Sequence, residues 1–483
     1  MLKAEKLAFL MASVFFVVYA VMGVNDLYKF EVMGWDMAIF DQGVWNWSRI
    51  RFPFSSFHDI WWLGDHFHLI LAALAPLYWI WAHPAALIVA QAFLVCFGGL
   101  TLYLLALEVT KSRKVSLALY FAYLTYFPLQ WHMFSGFHEM AFLPLCLGGA
   151  LYFLHMKKWR AYWVFVALSH LIKEDVGLLI AAVGVWMVVA DRKNWKAGVV
   201  TFLVGAVYSM LVIGIIMPAL SSGQYRHLGY GKMGENLVDV AVNVVRDPGV
   251  LVSGFTDSSV KLKTMLISFL PFGFLPFASL ASLVPIYVSF AVRFFDYGKE
   301  IRWTPYFAYS IPAAVLIFWG SLQGVGAILR RRRSFGWLVA LVVVALSVGQ
   351  NYVLHAPIHS IVKRGYFGKT AWMSDNHKVI DCVPDGVSVS AQNSLAPWLS
   401  RREKIKIFPE GLGYDYVVLD LHAGQSENSF HFLGSEKTKY IYEDLIENGY
   451  YEEVCRYNSA VALRKTGKEI KLNYPFEIEI YEK

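Results

Sequence analysis

Long apolar stretches alternate with short basic clusters along the first three quarters of the chain. Lys111–Lys114, Lys157–Arg160, Arg192–Lys196 and Arg330–Arg333 each abut a stretch too apolar for a soluble surface. Mean hydropathy is +0.46, and 16% of the 483 residues are charged, where a soluble domain has about a quarter. This is the pattern of an α-helical polytopic membrane protein. Basic clusters beside apolar spans mark cytoplasmic loops. The net charge of +7 therefore reports topology, and nucleic acid is not an expected partner.

The same rule orders the spans. Lys3 and Lys6 put the N-terminus in the cytoplasm. No small-residue cleavage site follows the first span, Leu7 to Val24, so a retained helix is expected. Residues 25–84 then form an outer first loop, with a short helix over Met37 to Trp47. Asp36 stands at its N-cap position. Phe67 to Trp81 is read as an interfacial helix, its tryptophans and Tyr78 at headgroup depth. Further spans are Ala85 to Leu107, Val115 to Trp131, Met140 to Met156, Gly198 to Leu220, Pro305 to Leu329 and Trp337 to Leu354. Ala161 to Val189 splits into two short helices around Lys173-Glu174-Asp175, because both of its flanks are basic. Leu266 to Val292 carries Pro271, Pro276 and Pro285 and reads as a kinked membrane hairpin. The total is about eleven transmembrane helices in residues 1–354, of which the pairs in Ala161 to Val189 and Leu266 to Val292 are short.

Residues 355–483 change character. Val387–Ala391, Ile405–Phe408 and Tyr416–Asp420 read as strands, Asn393–Ser400 and Glu436–Asn448 as helices, and Tyr451–Arg464 as a final strand pair. A small extracytoplasmic α/β domain with a mainly parallel sheet is expected. No glycine-rich phosphate loop follows any strand, so nucleotide binding is not indicated. Asp415, Asp420 and His422 have no diagnostic spacing. Cys382 and Cys455 could pair only in an oxidising compartment, whereas Cys96 and Cys146 lie in apolar spans as packing residues.

Charged groups beside lipid are costly and mark functional sites. Asp36 is the candidate catalytic base, against the plainer reading of a helix cap. Asp41 lies about 140° further round a helix of 3.6 residues per turn. It is either a supporting substrate-binding group or simply solvent-facing. Asp65, His66 and His68, with Asp175, could hold a divalent metal ion such as Mg or Mn. The two histidines share a face only in an extended segment, and hydrogen bonding at the headgroup level is the alternative. Lys173, Glu174 and Asp175 must line a polar cavity or pair internally. Lys173 suits a lipid-phosphate oxygen, and His170 lies a turn before Glu174. His138 and Glu139 sit in a short outer turn. Arg293, Lys299 and Arg302 are further phosphate-binding candidates.

Several blocks resemble a known family. WDMAIFDQGVWN, LGDHFHLILAALAPLY, FSGFHEMAF and LIKEDVGLL are similar to the signature stretches of domain-of-unknown-function family 2079, predicted membrane proteins. VPDGVSVSAQNSLAPWLSRR and YDYVVLDL resemble that family's C-terminal part. In layout the family resembles the C-type glycosyltransferases, which take sugars from polyprenyl-phosphate donors. The resemblance implies that Asp36 is the first-loop catalytic acid. Where the family reads Phe-His-Pro-Glu, this chain has Phe137-His138-Glu139-Met140, which places the acid one residue early.

The leading expectation is an inverting glycosyltransferase on the outer face of the plasma membrane. Its partners would be membrane lipids and a polyprenyl-phosphate-linked sugar. Rival readings are a transporter or lipid-handling protein without catalysis, and a scaffold for an envelope assembly. A transporter would show related, interrupted halves, and no internal repeat is visible.

Overall fold

The computed structural model describes residues 3–221, 227, 229–230, 233–234, 237–306, 308–431 and 433–471. Ten positions of the loop expected over Ser221 to Lys263 lie outside the described residues. The chain is largely helical, with a small five-stranded sheet near its C-terminal end.

Five described helices are long and apolar enough to cross a membrane: Glu5–Tyr28, Ala85–Thr110, Arg192–Leu220, Ala308–Arg331 and Arg333–Val353. The remaining apolar helices are shorter, among them Glu139–His155, Val176–Ala190 and Leu280–Phe294, so five helices of full spanning length stand where about eleven helices, some of them short, are expected. Val115 to Trp131 is broken into Arg113–Leu124 and Phe127–Phe134, because Pro128 starts a new first turn. Ala161 to Val189 splits around the charged triplet, as expected, into Trp159–His170 and Val176–Ala190. Leu266 to Val292 is more fragmented than a hairpin. Three 3-10 turns lie between helices Ser259–Phe269 and Leu283–Phe294, and prolines 271 and 276 each open one of them.

Burial separates the roles of the long helices. Ala308–Arg331 is central, its apolar window 83% buried. Helix α1 (Lys3–Tyr28) instead exposes Leu10, Val14, Val17 and Val21 along one flank. Arg192–Leu220 exposes Leu203, Val207 and Met210. Runs of exposed apolar side chains of this extent suit lipid, not water. Val176–Ala190 packs tightly on the helix that begins at Trp195. A Cβ on Gly205 would lie 2.3 Å from the Gly177 carbonyl oxygen, so a small residue is what lets the backbones approach.

Helix α2 (Gly34–Ser48) follows α1 and becomes regularly helical only after Asp36. A two-residue hairpin, β1 (Phe54–Ser55) with β2 (Ile60–Trp61), comes next. Phe67 to Trp81 is a 3-10 turn, Leu69–Leu74, running into Ala75–Ile80.

The tail sheet comprises β3 (Val389–Ala391), β4 (Ile405–Ile407), β5 (Tyr416–Asp420), β6 (Tyr451–Tyr457) and β7 (Ala460–Lys465). Its order is β4-β3-β5-β7-β6. β3 pairs in parallel with β4 and β5, while β7 runs antiparallel to β5 and β6. The sheet is thus mixed, not mainly parallel, because the last two strands return as a hairpin. Ser435–Glu447 and Ala396–Leu399 match the expected helices in place, and Ala371–Asp381 is an additional one. Cys382 and Cys455 are disulfide-bonded, while Cys96 and Cys146 are buried free thiols.

Candidate functional site

Asp36 sits on an unusual piece of backbone. Its φ of 70° and ψ of −72° are those of a strained γ-turn. Such conformations persist only where the surroundings impose them, and they gather at functional sites. Two neighbours impose this one. The Asn393 side-chain oxygen accepts the Trp35 N–H at 2.8 Å, and the Asn393 carbonyl accepts the Gly34 N–H at 2.7 Å. Gly34 has no room for a side chain, since a Cβ would lie 2.5 Å from that of Ala396. The Trp35 ring stacks on His431 at 4.6 Å. The N-cap position of α2 falls at Met33, and Asp36 lies at the kink within the start of the helix.

The carboxyl of Asp36 looks into a cavity of about 80 Å³. Its walls include His66, His138, Glu139, Lys173, Asp175, Arg293 and Tyr309. A second cavity of about 50 Å³ shares His66, Lys173, Asp175, Arg293 and Tyr309, and adds Glu174, His227 and Arg302. The first loop, the 135–142 turn and the charged triplet, far apart in sequence, therefore meet. The Asp36 side chain is 47% exposed, with His138 Nε2 standing 3.7 Å from its carboxylate. Loss of solvent around the carboxyl raises its pKa above the ordinary carboxylate value; His138 opposes this and Glu139 adds to it.

The turn bearing His138 and Glu139 is fixed by an amide inside a span. Gln91 Oε1 accepts the His138 N–H at 2.9 Å, and Gln91 Nε2 donates to the Gly136 carbonyl at 2.6 Å. Glu139 then reaches Lys173 in a buried ion pair of 3.2 Å. The glutamate, one residue early relative to the family pattern, lines the cavity alongside Met140.

Lys173 remains cationic, because Glu139 and then Asp175 outweigh the cost of burial. Glu174 accepts from His66 Nδ1 at 2.8 Å and from the Phe67 N–H at 3.0 Å. Burial works against ionisation of Glu174, but His66 and then Lys173 hold it well below the usual carboxylate range. Asp175 goes the other way: burial carries it up to about 7, with Lys173 opposing and Glu174 adding. Burial also pushes His66 down to about 4, assisted by His227 and Lys173, so its imidazole is neutral at pH 7.

Arg293, at the end of Leu283–Phe294, is 3% exposed. Its Nη1 donates to the Thr304 carbonyl at 3.1 Å and to Ser310 Oγ at 2.9 Å. Nε and Nη2 find no hydrogen-bond partner among the described residues. A buried guanidinium with donors to spare at a cavity wall is an anion anchor in chemical terms.

Other expected residues lie elsewhere. Asp41 is fully buried and accepts from Tyr78, Ser400 and Arg401. The solvent-facing reading does not hold for it, because α2 turns that face onto the tail, and Asp41 lines neither cavity. His68 packs on Trp62 at 4.2 Å and on Phe40 at 5.5 Å. His170 ends its helix, bonds the Val166 carbonyl at 2.7 Å and lies against Tyr208, so it shares no helical face with Glu174. Arg302 pairs with Asp296 at 2.7 Å at the edge of the second cavity. Lys299 lines neither cavity. Asp420 and His422 bond each other within the tail at 2.8 Å. Gln91, His227, Tyr309 and Asn393 join the arrangement without having been singled out from sequence. Of these, only Gln91, a lone amide inside an apolar span, carried a local signal.

No curated protein matches the chain. A family model described as predicted membrane protein (DUF2079) matches residues 26–452, and the chain belongs to that family.

Proposed function

We propose that this membrane protein is an inverting glycosyltransferase that uses a polyprenyl-phosphate-linked sugar on the outer face of the membrane. The observation that carries the reading is that Asp36, Lys173 and Arg293 wall one cavity. Asp36 takes the proton of an acceptor hydroxyl. The acceptor oxygen forms a bond to the anomeric carbon from the side opposite the phosphate. The bond from that carbon to the phosphate oxygen breaks, and its electron pair leaves with the polyprenyl phosphate. Lys173 and the unpartnered donors of Arg293 stabilise the charge that develops there. A carboxylate with a raised pKa is the stronger base, which suits the direction found at Asp36.

Support for the outer face comes from the Cys382–Cys455 disulfide, since such bonds persist in oxidising compartments. The tail that carries it also holds the backbone before Asp36, so this support extends to the Asp36 cavity. The purified full-length protein in liposomes, given a panel of radiolabelled polyprenyl-phosphate sugars, tests the reading. At least one should release its sugar faster than in protein-free liposomes. Binding of these lipids with no turnover of any would favour the lipid-handling alternative.

A further inference from the structure

We infer that Asp65, His66 and His227 form a binding site for one divalent ion of the zinc class. Each offers one ligand atom, and those atoms all lie within 4.8 Å of one another. His227 Nε2 is 3.0 Å from Asp65 Oδ1, a separation that two ligands on one small ion can adopt at ordinary metal–ligand lengths. His66 presents its second nitrogen, because Nδ1 is already committed to Glu174 at 2.8 Å. Glu174 is in turn held by the Phe67 N–H at 3.0 Å. A carboxylate that fixes the far nitrogen of a histidine is the usual support of a metal-binding imidazole. The two imidazoles lie ring over ring at 4.0 Å and 15°.

Donor chemistry selects the ion. Two nitrogens and one carboxylate oxygen suit zinc or a similar transition ion, whereas magnesium requires a nearly complete oxygen shell. The expected magnesium or manganese set of Asp65, His66, His68 and Asp175 is thereby replaced. His68 belongs to the Trp62 and Phe40 packing, and His227 arrives from a loop 162 residues away. Three protein ligands leave a position open for water or an anionic oxygen. The site stands independently of the transferase reading, since it requires only these side chains.

The test uses the full-length protein in detergent, stripped with a chelator. Zinc is then titrated in competition with a chromophoric chelator, and cobalt is followed by its visible absorption. Wild type should take up one equivalent of zinc. Asp65→Asn and His227→Gln should each lose that equivalent, and Glu174→Gln should weaken it about 10–100-fold. His355→Gln, at an exposed histidine, should leave it unchanged. Wild type with no zinc uptake, or His227→Gln binding as well as wild type, overturns the site. Where a variant fails to fold, the cobalt-loaded wild type decides: visible bands of a low-coordinate nitrogen–oxygen site support it, and an aquo-ion spectrum rejects it.

Discussion

The side-chain oxygen of Asn393 accepts the main-chain N–H of Trp35 at 2.8 Å, one residue before Asp36. A residue of the tail thus shapes the turn that aims the candidate base. Asn393 is 3% exposed, and its own amide nitrogen is fixed by the Asn428 carbonyl at 2.7 Å. The tail is therefore part of what forms the cavity rim, and its contact with α2 explains why the strained Asp36 conformation holds.

Asn393→Ala removes the side-chain acceptor of the part-buried Trp35 N–H, which costs about 1–3 kcal/mol. The thermal midpoint should fall modestly. Turnover of the lipid-linked sugar should fall further than that loss explains, because Asp36 is no longer aimed. Turnover falling only in step with the folded fraction would make Asn393 purely structural.

Asp41→Ala removes the acceptor for Tyr78, Ser400 and Arg401. Breaking a buried pair in this way costs about 3 kcal/mol. A large drop in thermal midpoint is expected, measured in detergent by tryptophan fluorescence. Lipid-phosphate affinity per folded molecule should stay unchanged, since Asp41 is not a cavity residue.

Arg293→Ala carries two opposite signs. It removes a buried charge with unpartnered donors, so the ligand-free protein should lose little stability or gain some. It also removes charge-assisted bonds to a phosphate, worth about 1.5–3 kcal/mol, or roughly 10–100-fold in affinity. Native mass spectrometry with polyprenyl phosphate reads the affinity, and an unchanged value would take Arg293 out of the site.

The charged triplet was legible because three charges between two apolar segments can only sit at a helix junction. Asp36 was legible for a similar reason, as an acid beside a span. Tyr416–Asp420 showed itself through its strand pattern. Asp41 misled, because helical spacing tells which face it occupies but not that Ser400 and Arg401 cover it. Arg293 was weighed as an interfacial cation, since a proline-broken segment hides how deep its end lies. His227 and Asn393 were invisible for want of local context, as their partners are 162 and 358 residues away. Span lengths were overstated because apolar composition persists through breaks such as the one between Leu124 and Phe127.

Asp175 sets a pH dependence of stability. Its pKa rises from 3.8 to about 7 on folding, so between those values the folded protein binds more protons than the unfolded chain. Stability then falls as pH rises through that window. Asp175→Asn abolishes this slope. Relative to wild type, its thermal midpoint should be several degrees higher above pH 7, with the advantage gone by pH 4. An equal difference at both pH values would contradict the buried, protonated state.

The most direct measurement compares Asp36→Asn with wild type for both binding and turnover of one radiolabelled polyprenyl-phosphate sugar. The variant should bind the lipid as wild type does and release essentially no sugar, because the proton acceptor is gone while Lys173 and Arg293 remain. Wild-type rates of sugar release in Asp36→Asn would contradict the assignment.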